Sequence, residues 1–432
     1  MRTFLIIAGF ISLPWIGYAQ QHTVSLDSSR KAALAYSIAI KNGQINLLSA
    51  DAGLKSAKSN YLPGVSGFGA ALYGFKDIIP SIPDVLDNGI NNIYIAGVTA
   101  SQSIYAGGRV KAGNELAALK IDAQKILLNQ STDSVLLLTE QKYWNIVNLQ
   151  EQHKTITANE ALLNGLLKMQ GDMLAAGLIP RNEMLKVKVQ LSQLMVTKSR
   201  LNNNRMLALF DFSIYTSIPY DSLMIMADTI NKSIVPSLPD GIPDTSLIQL
   251  NSFRLLTLQV KSSLLQTQLT RGEGRPSFSL GLSASQTGSF NGAFGSSFVP
   301  IAFGTLSIPI SEGLWGGNKH KIRQRKLEEQ TANNNLQDGK NYLQLGILQH
   351  WYNLKDALTQ INYAKDNLDQ ATENLKVNQD NYKAGLTNVN DVLDAQALYQ
   401  QAEVTLNAAF TDFQIRKTYY DFSVGKIAEG RK

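Results

Sequence analysis

Asp391 and Asp394 stand three residues apart, in helical sequence that follows an Ala384-Gly385-Leu386 break. That spacing puts both carboxylates on one side of a helix. If three chains close such pairs into a ring of six carboxylates, the ring favours cations and binds divalent ions weakly. The pair equally suits a helix start, where acids are favoured in the first turn. Little else in the chain offers chemistry. There is no Cys, which removes thiol catalysis, disulfide scaffolds, iron–sulfur clusters and Cys-linked lipid anchors. His22, His153, His320 and His350 are dispersed and lack metal-ligand spacing. No Gly-x-Ser-x-Gly occurs. The pairs Gly107-Gly108 and Gly316-Gly317 open helical sequence, but no Gly-Lys-Ser/Thr follows either. No catalytic residue, no metal site and no cofactor is expected.

Composition narrows the class. The chain has 432 residues, 44% apolar and only 17% charged, against about 25% charged in ordinary soluble domains. Much of the polar surface is therefore neutral, and a disordered chain is excluded. The formal charge is +6, from 40 basic and 34 acidic residues. The basic residues are mostly scattered, so nucleic acid is not an expected partner. The one basic cluster is Asn318-Lys319-His320-Lys321-Ile322-Arg323-Gln324-Arg325-Lys326.

Arg2, an apolar run from Phe4 to Ile16, and Gly17-Tyr18-Ala19 read as a secretory signal, with residues 1–19 removed. No other uncharged apolar run approaches the roughly 20 residues of a spanning helix. Membrane insertion would then have to use strands.

The rest of the chain reads as two copies of one unit. Pro63 and Pro276 each open an alternating stretch. Gly107-Gly108 and Gly316-Gly317 each open a long polar helix. Ala176-Gly177-Leu178 and Ala384-Gly385-Leu386 each break helical sequence, followed by Asn182-Glu183-Met184-Leu185 and Asn390-Asp391-Val392-Leu393. The landmarks keep one order at an offset of about 210 residues, which argues for duplication. The first repeat is assigned to 20–212, with a helix over 27–60, strands over 61–75 and 93–105, and helices over 108–175 and 182–212. An irregular segment follows over 213–244. The second repeat is assigned to 245–425, with strands over 276–287 and 298–310 and helices over 317–383 and 390–424. A tail spans 426–432.

The elements explain how the candidate residues are positioned. Each long helix lacks proline, and at ~1.5 Å rise per residue it extends roughly 100 Å. Ile347, Trp351, Leu354, Leu358, Ile361, Lys365, Leu368, Thr372, Leu375, Gln379 and Tyr382 alternate steps of four and three. Val392, Ala395, Tyr399, Ala402, Leu406, Ala409 and Phe413 do the same on the returning helix. Long helices therefore pack side by side along narrow seams. Trp144, Trp351, Tyr419 and Tyr420 read as packing residues, and Trp315 as an interfacial anchor. In one strand Phe278, Leu280, Leu282 and Ala284 share a face, with Ser277, Ser279, Gly281, Ser283 and Ser285 opposite. Lipid outside and water inside fits this alternation. Yet four strands per chain fall short of the about eight in the smallest single-chain barrels. An open edge cannot sit in lipid, so copies of the chain must pool strands. Two copies give eight strands and three give twelve.

The run Tyr382-Lys-Ala-Gly385-Leu386-Thr387-Asn-Val-Asn-Asp391-Val-Leu-Asp394-Ala395-Gln396, with the Gly-Gly pairs after the strands, resembles the TolC family of outer-membrane efflux proteins. The resemblance covers essentially the whole mature chain. It implies an α plus transmembrane-β fold: a long-helix α-barrel tunnel below a 12-stranded β-barrel, made by a homotrimer. It implies a location in the outer membrane, extending into the periplasm. It implies a passive exit duct of a tripartite efflux or secretion system, with no catalysis of its own. The implied partners are a periplasmic adaptor (membrane fusion) protein, an inner-membrane transporter and outer-membrane lipid. On this layout the basic cluster lies just below the membrane, near lipid phosphates; a solvated helix face is the plainer reading.

The resemblance also assigns site residues. Gly177-Leu178 and Gly385-Leu386 become the periplasmic tips that meet the adaptor, Gly reversing the chain and Leu offering an apolar knob. Asp391 and Asp394 become a ring of carboxylates at the periplasmic gate when three chains meet, favouring cations. Some relatives latch this entrance with Tyr, Arg and Asp. Tyr382 and both acids match, and Thr387 stands at the Arg position, which puts the charged latch in doubt. Pro180, Arg181, Glu183 and Lys186 make the first tip different from the second. A trimeric coiled-coil structural or adhesive surface protein is the alternative; it accounts for the heptads and the signal, but not for two strand pairs or the duplication.

Overall fold

The computed structural model describes residues 23–427, apart from 85–88, 233, 239–242, 244 and 291–294. The expected signal at 1–19 lies outside the described residues. In chain order the elements are β1 (Thr23–Val24), α1 (Leu26–Tyr36), α2 (Ile38–Ser59), β2 (Gly64–Tyr73), β3 (Asn92–Ala106), α3 (Arg109–Ala175), α4 (Arg181–Thr216), β4 (Ile225–Met226), α5 (Asn251–Glu273), β5 (Ser277–Gly288), β6 (Ser297–Ser307), α6 (Ile310–Leu314), α7 (Gly317–Lys383) and α8 (Val389–Ser423). The single helix expected over 27–60 is two helices. Ser37 leaves the helical region (φ −49°, ψ 121°) while its N–H still bonds Ala33. The last strand ends at Ser307 rather than 310, because Pro309 leads into the short α6.

Two compact units divide the chain. One gathers Met1–Ser37, Val135–Gly241 and His350–Asp421; the other gathers Ile38–Ser134, Ile242–Gln349 and Phe422–Lys432. Each unit therefore draws segments from both repeats. Both α3 and α7 contribute to the two units, because a helix of 67 residues outruns any single core.

In the second unit, β2, β3, β5 and β6 form one antiparallel sheet in the order β2-β3-β5-β6. The central pairing joins the repeats: Val98 faces Ala284 and Ala100 faces Leu282. On the flank, Leu282 faces Ala302 and Phe278 faces Leu306. Residues opposite one another share a face, so the apolar side of β5 continues across β3 and β6. On the other side Thr99 and Ser283 place their hydroxyls 3.1 Å apart. Both outer strands, β2 and β6, are exposed along their whole length. Pro300 is tolerated because β6 is an edge.

In the first unit, helices pack along seams of alternating large and small residues. Leu354, Ala357, Ile361, Ala364, Ala371 and Leu375 of α7 are buried, as are Val392, Ala395, Ala402, Leu406 and Phe413 of α8. The expected α7 seam is corrected by this pattern. Thr372 is exposed, and Ala364 and Ala371 enter the seam in place of Lys365 and Thr372. A methyl at every second contact lets helix axes approach where Leu or Ile fills the next.

The 213–244 segment is stitched to this unit by side chains. β4 pairs in parallel with β1. Val24, Tyr143, Ile146, Val147, Leu209, Phe212, Met224 and Met226 form one core. Tyr143 donates to Asp228 at 2.5 Å. Arg205 donates to the carbonyls of Ser222 (3.2 Å) and Met224 (2.7 Å). Burial and the Asp228 carboxylate push the Tyr143 phenol well above its ordinary pKa.

Candidate functional site: the two helix tips

Both tips belong to the first unit and share one backbone design. At the end of α3, the N–H groups of Ala176, Gly177 and Leu178 bond the carbonyls of Asp172 (3.0 Å), Leu174 (3.0 Å) and Met173 (2.9 Å). At the end of α7, Ala384, Gly385 and Leu386 bond Asp380 (3.0 Å), Tyr382 (3.0 Å) and Asn381 (2.8 Å). The six-to-one bond nested over a five-to-two bond is a Schellman motif. It requires a left-handed residue, and Gly177 (φ +71°) and Gly385 (φ +73°) supply it. The following leucines do not fold back onto their helices. Leu178 is 71% exposed and Leu386 is 77% exposed. Turning the chain needs the glycine alone, so the two bare leucines call for another account.

The helices that leave the tips start differently. α4 begins after Pro180 without a side-chain cap, and Glu183 pairs with Lys186 at 3.0 Å. α8 begins with a reciprocal cap. The Asn388 side-chain oxygen accepts from the N–H groups of Asn390 (2.8 Å) and Asp391 (3.3 Å). The Asp391 carboxylate in turn accepts from the Asn388 N–H at 3.3 Å and from the Thr387 hydroxyl. Two free N–H groups of the helix start are thereby satisfied. Asp391 thus serves the helix start in the single chain, and Thr387 is its hydrogen-bond partner. Asp394 is exposed. Asn388 was not singled out from the sequence, although the Asn-x-x-Asp spacing was there to signal a cap.

The Tyr382 hydroxyl bonds neither of these acids. Its ring is buried with Leu163, Leu166, Val187, Val389 and Val392. Its hydroxyl accepts from Gln170 and reaches the Met173 sulfur at 3.7 Å. Gln170 is fully buried with its side-chain oxygen unpartnered, and the amide nitrogen of Gln396 is likewise buried and unpartnered. Nothing in the sequence marked Gln170, because a Gln on a long polar helix is indistinguishable from its solvated neighbours. A cleft of about 230 Å³ opens beside Tyr382, lined by Leu162, Met169, Gln379, Val392 and Gln396. Among the described residues, no cluster of three His, Asp or Glu side chains is placed to hold a metal ion. Likewise no described helix is long and apolar enough to cross a membrane.

Residues 243–418 match the family model described as outer membrane efflux protein. No curated protein matches by sequence. The fold matches solved outer-membrane channels. Against OprN the TM-score is 0.80 at 16% identity, covering 93% of this chain and 90% of that one. Against the Campylobacter jejuni CmeC channel it is 0.78 at 18% identity, covering 93% and 85%. Against the open state of the Neisseria gonorrhoeae MtrE channel it is 0.78 at 16% identity, covering 93% and 88%. The fold, long helices with one strand sheet, is therefore the one these solved channels share. The family resemblance read from the sequence is thus supported over residues 243–418, which are similar to the outer membrane efflux proteins.

Proposed function

We propose that the chain is the outer-membrane channel of a tripartite efflux or secretion system, a passive duct that carries out no chemistry. The observation that carries this reading is the open β2-β3-β5-β6 sheet on a channel fold. Its apolar face is bare, with Val98, Leu282 and Leu306 all exposed. In water such a face is a liability; in lipid it is required. Both edges are unpaired, and hydrocarbon does not tolerate an unpaired edge. A third copy of the sheet closes a barrel of twelve strands wide enough for a channel, which two copies do not reach. The family match over 243–418 favours this duct over a coiled-coil adhesin.

At the C-terminal ends of α3 and α7, Leu178 and Leu386 are the apolar contacts for a periplasmic adaptor, which links the duct to an inner-membrane transporter. Asp394, with Asp391 beside it, lines the gate and favours cations. Tyr382 supports the gate from within its own chain. The deciding experiment is reconstitution of the detergent-purified protein in planar bilayers, with its native mass measured in parallel. Three-chain particles that conduct are expected. A monomer, or a protein that stays dispersed without detergent, would overturn the reading.

A further inference from the structure

Where the sheet gives way to helices, three chain segments of the second unit are tied together. Arg275, after α5, donates from its guanidinium to the Gly107 carbonyl at 3.4 Å, just before α3. Asn318, in the first turn of α7, donates to the Thr270 carbonyl at 3.0 Å and accepts from the Gly274 N–H at 3.2 Å. The starts of α3 and α7 and the end of α5 therefore share one level of the fold.

That level is cationic. Beside Gly107 and Gly108 lies a recess of about 520 Å³, predominantly polar, into which Lys111, Arg271 and Arg275 converge. Glu115 is the one acid in its lining. On α7 the exposed Lys319, Lys321 and Arg323 follow Asn318, and no acid occurs from Gly317 to Leu327. Arg325 differs, being paired with Glu328 at 2.6 Å. Between the sheet and this basic run stands an apolar group. Trp315 is 83% exposed, and Ile308, Ile310 and Leu314 are exposed with it. Apolar sheet, bare Trp and then cations is the order of layers from hydrocarbon to headgroup to phosphate.

We propose that this level is a docking band for the phosphodiester headgroups of anionic lipid, with the recess of Lys111, Arg271 and Arg275 as its most enclosed site. The proposal deepens the membrane reading above and rests on it. Charge complementarity and continuity with the apolar sheet face select a lipid as the occupant. Guanidinium groups meet phosphate oxygens in pairs, and lysines add point charge. The recess lies beside the first turn of α3, whose free N–H groups add to the positive field.

The test uses the full chain in neutral detergent, titrated with phosphatidylglycerol or phosphatidylcholine and read by native mass spectrometry and thermal melting. The wild type should retain phosphatidylglycerol and gain heat resistance from it, with phosphatidylcholine doing neither. Lys111→Gln with Arg271→Gln should weaken retention about tenfold or more. Lys319→Gln with Arg323→Gln should weaken it less, because those side chains lie on an open helix face. Neither pair has a hydrogen bond in the stitching of the three segments, so both variants should melt like the wild type without lipid. Equal retention of the two lipids by the wild type overturns the proposal, as does undiminished phosphatidylglycerol retention by both variants. Equal protection by inorganic phosphate at the same concentration also overturns it, since the site would then take the free anion. A wild type that conducts in bilayers but shows no lipid preference sinks the lipid band alone. A wild type that needs no detergent sinks the membrane reading beneath it.

Discussion

Leu178 and Leu386 occupy equivalent places in the two repeats, each donating its N–H to the carbonyl five residues back and each leaving its side chain bare. The hydrogen bonds account for the glycine before each leucine but not for the leucine itself. If the proposed adaptor docks here, replacing both by Ser should leave melting unchanged and reduce its co-purification severalfold. Gly385→Ala tests the other half of the motif. No atom lies within 4 Å of the added methyl, so only the left-handed backbone resists it. The expected loss is about 1–2 kcal/mol, measured as a lower melting temperature. Gly385→Asn should lose far less.

The reciprocal cap at Asn388 and Asp391 allows charge to be separated from fold in the proposed gate. Asp391→Asn keeps an oxygen able to accept from Thr387 and the Asn388 N–H. Asp394 is exposed, and Asp394→Asn removes charge alone. The double Asn variant should melt near the wild type while its cation-over-anion permeability ratio falls toward unity in single-channel recordings. Unchanged selectivity would remove both acids from the gate.

A buried ion pair fastens the N-terminal helix. Glu140, nearly buried, accepts from Arg30 of α1 at 2.7 Å and from Thr418 of α8 at 2.7 Å. Glu140→Ala leaves the half-buried Arg30 guanidinium with only the exposed Asp27, and the Thr418 hydroxyl with only the Gln414 carbonyl. The expected loss is about 1–2 kcal/mol, the order of a lost charge-assisted hydrogen bond. Glu140→Gln retains an acceptor for both and should lose less. Melting of the two variants in detergent orders them; an Ala variant as stable as wild type would show the pair to be ornamental.

Two histidines predict acid sensitivity. His350 stacks on Tyr419, ring centroids 5.7 Å apart. Burial, then the Arg416 charge, holds its pKa below the ordinary 6.5. For His153, burial comes first, then Arg205 and Lys198, with Glu160 opposing. In this window the unfolded chain binds more protons than the folded one, so stability rises with pH. The contribution is full above 6.5 and is lost as pH falls from there through the folded value. Melting temperature should drop as pH falls below the ordinary histidine value of 6.5, and His350→Phe with His153→Phe should flatten that slope. An identical slope in the double variant would assign the acid sensitivity to other groups.

The sequence by itself determined where the long helices run and stop, and it marked the two repeats. These are local matters. Proline exclusion, a glycine able to take positive φ, and a period of two or of seven are written in consecutive residues. The Ala-Gly-Leu breaks and the alternation of β5 were legible for that reason, and so was the family resemblance in the run from Tyr382 to Gln396. The tertiary structure decided what faces what. That β3 of one repeat pairs with β5 of the other, that Ala364 and Ala371 fill the seam instead of Lys365 and Thr372, and that Gln170 bonds the buried Tyr382 all depend on segments far apart in sequence. A polar residue on a long helix shows the same local pattern whether it meets water or a neighbour, so Gln170 and Glu140 became distinct only when the helices were packed. Ser37 makes the same point within the backbone: no proline or glycine marks the break, and it is the helices' separate packing, α1 in one unit and α2 in the other, that accompanies it.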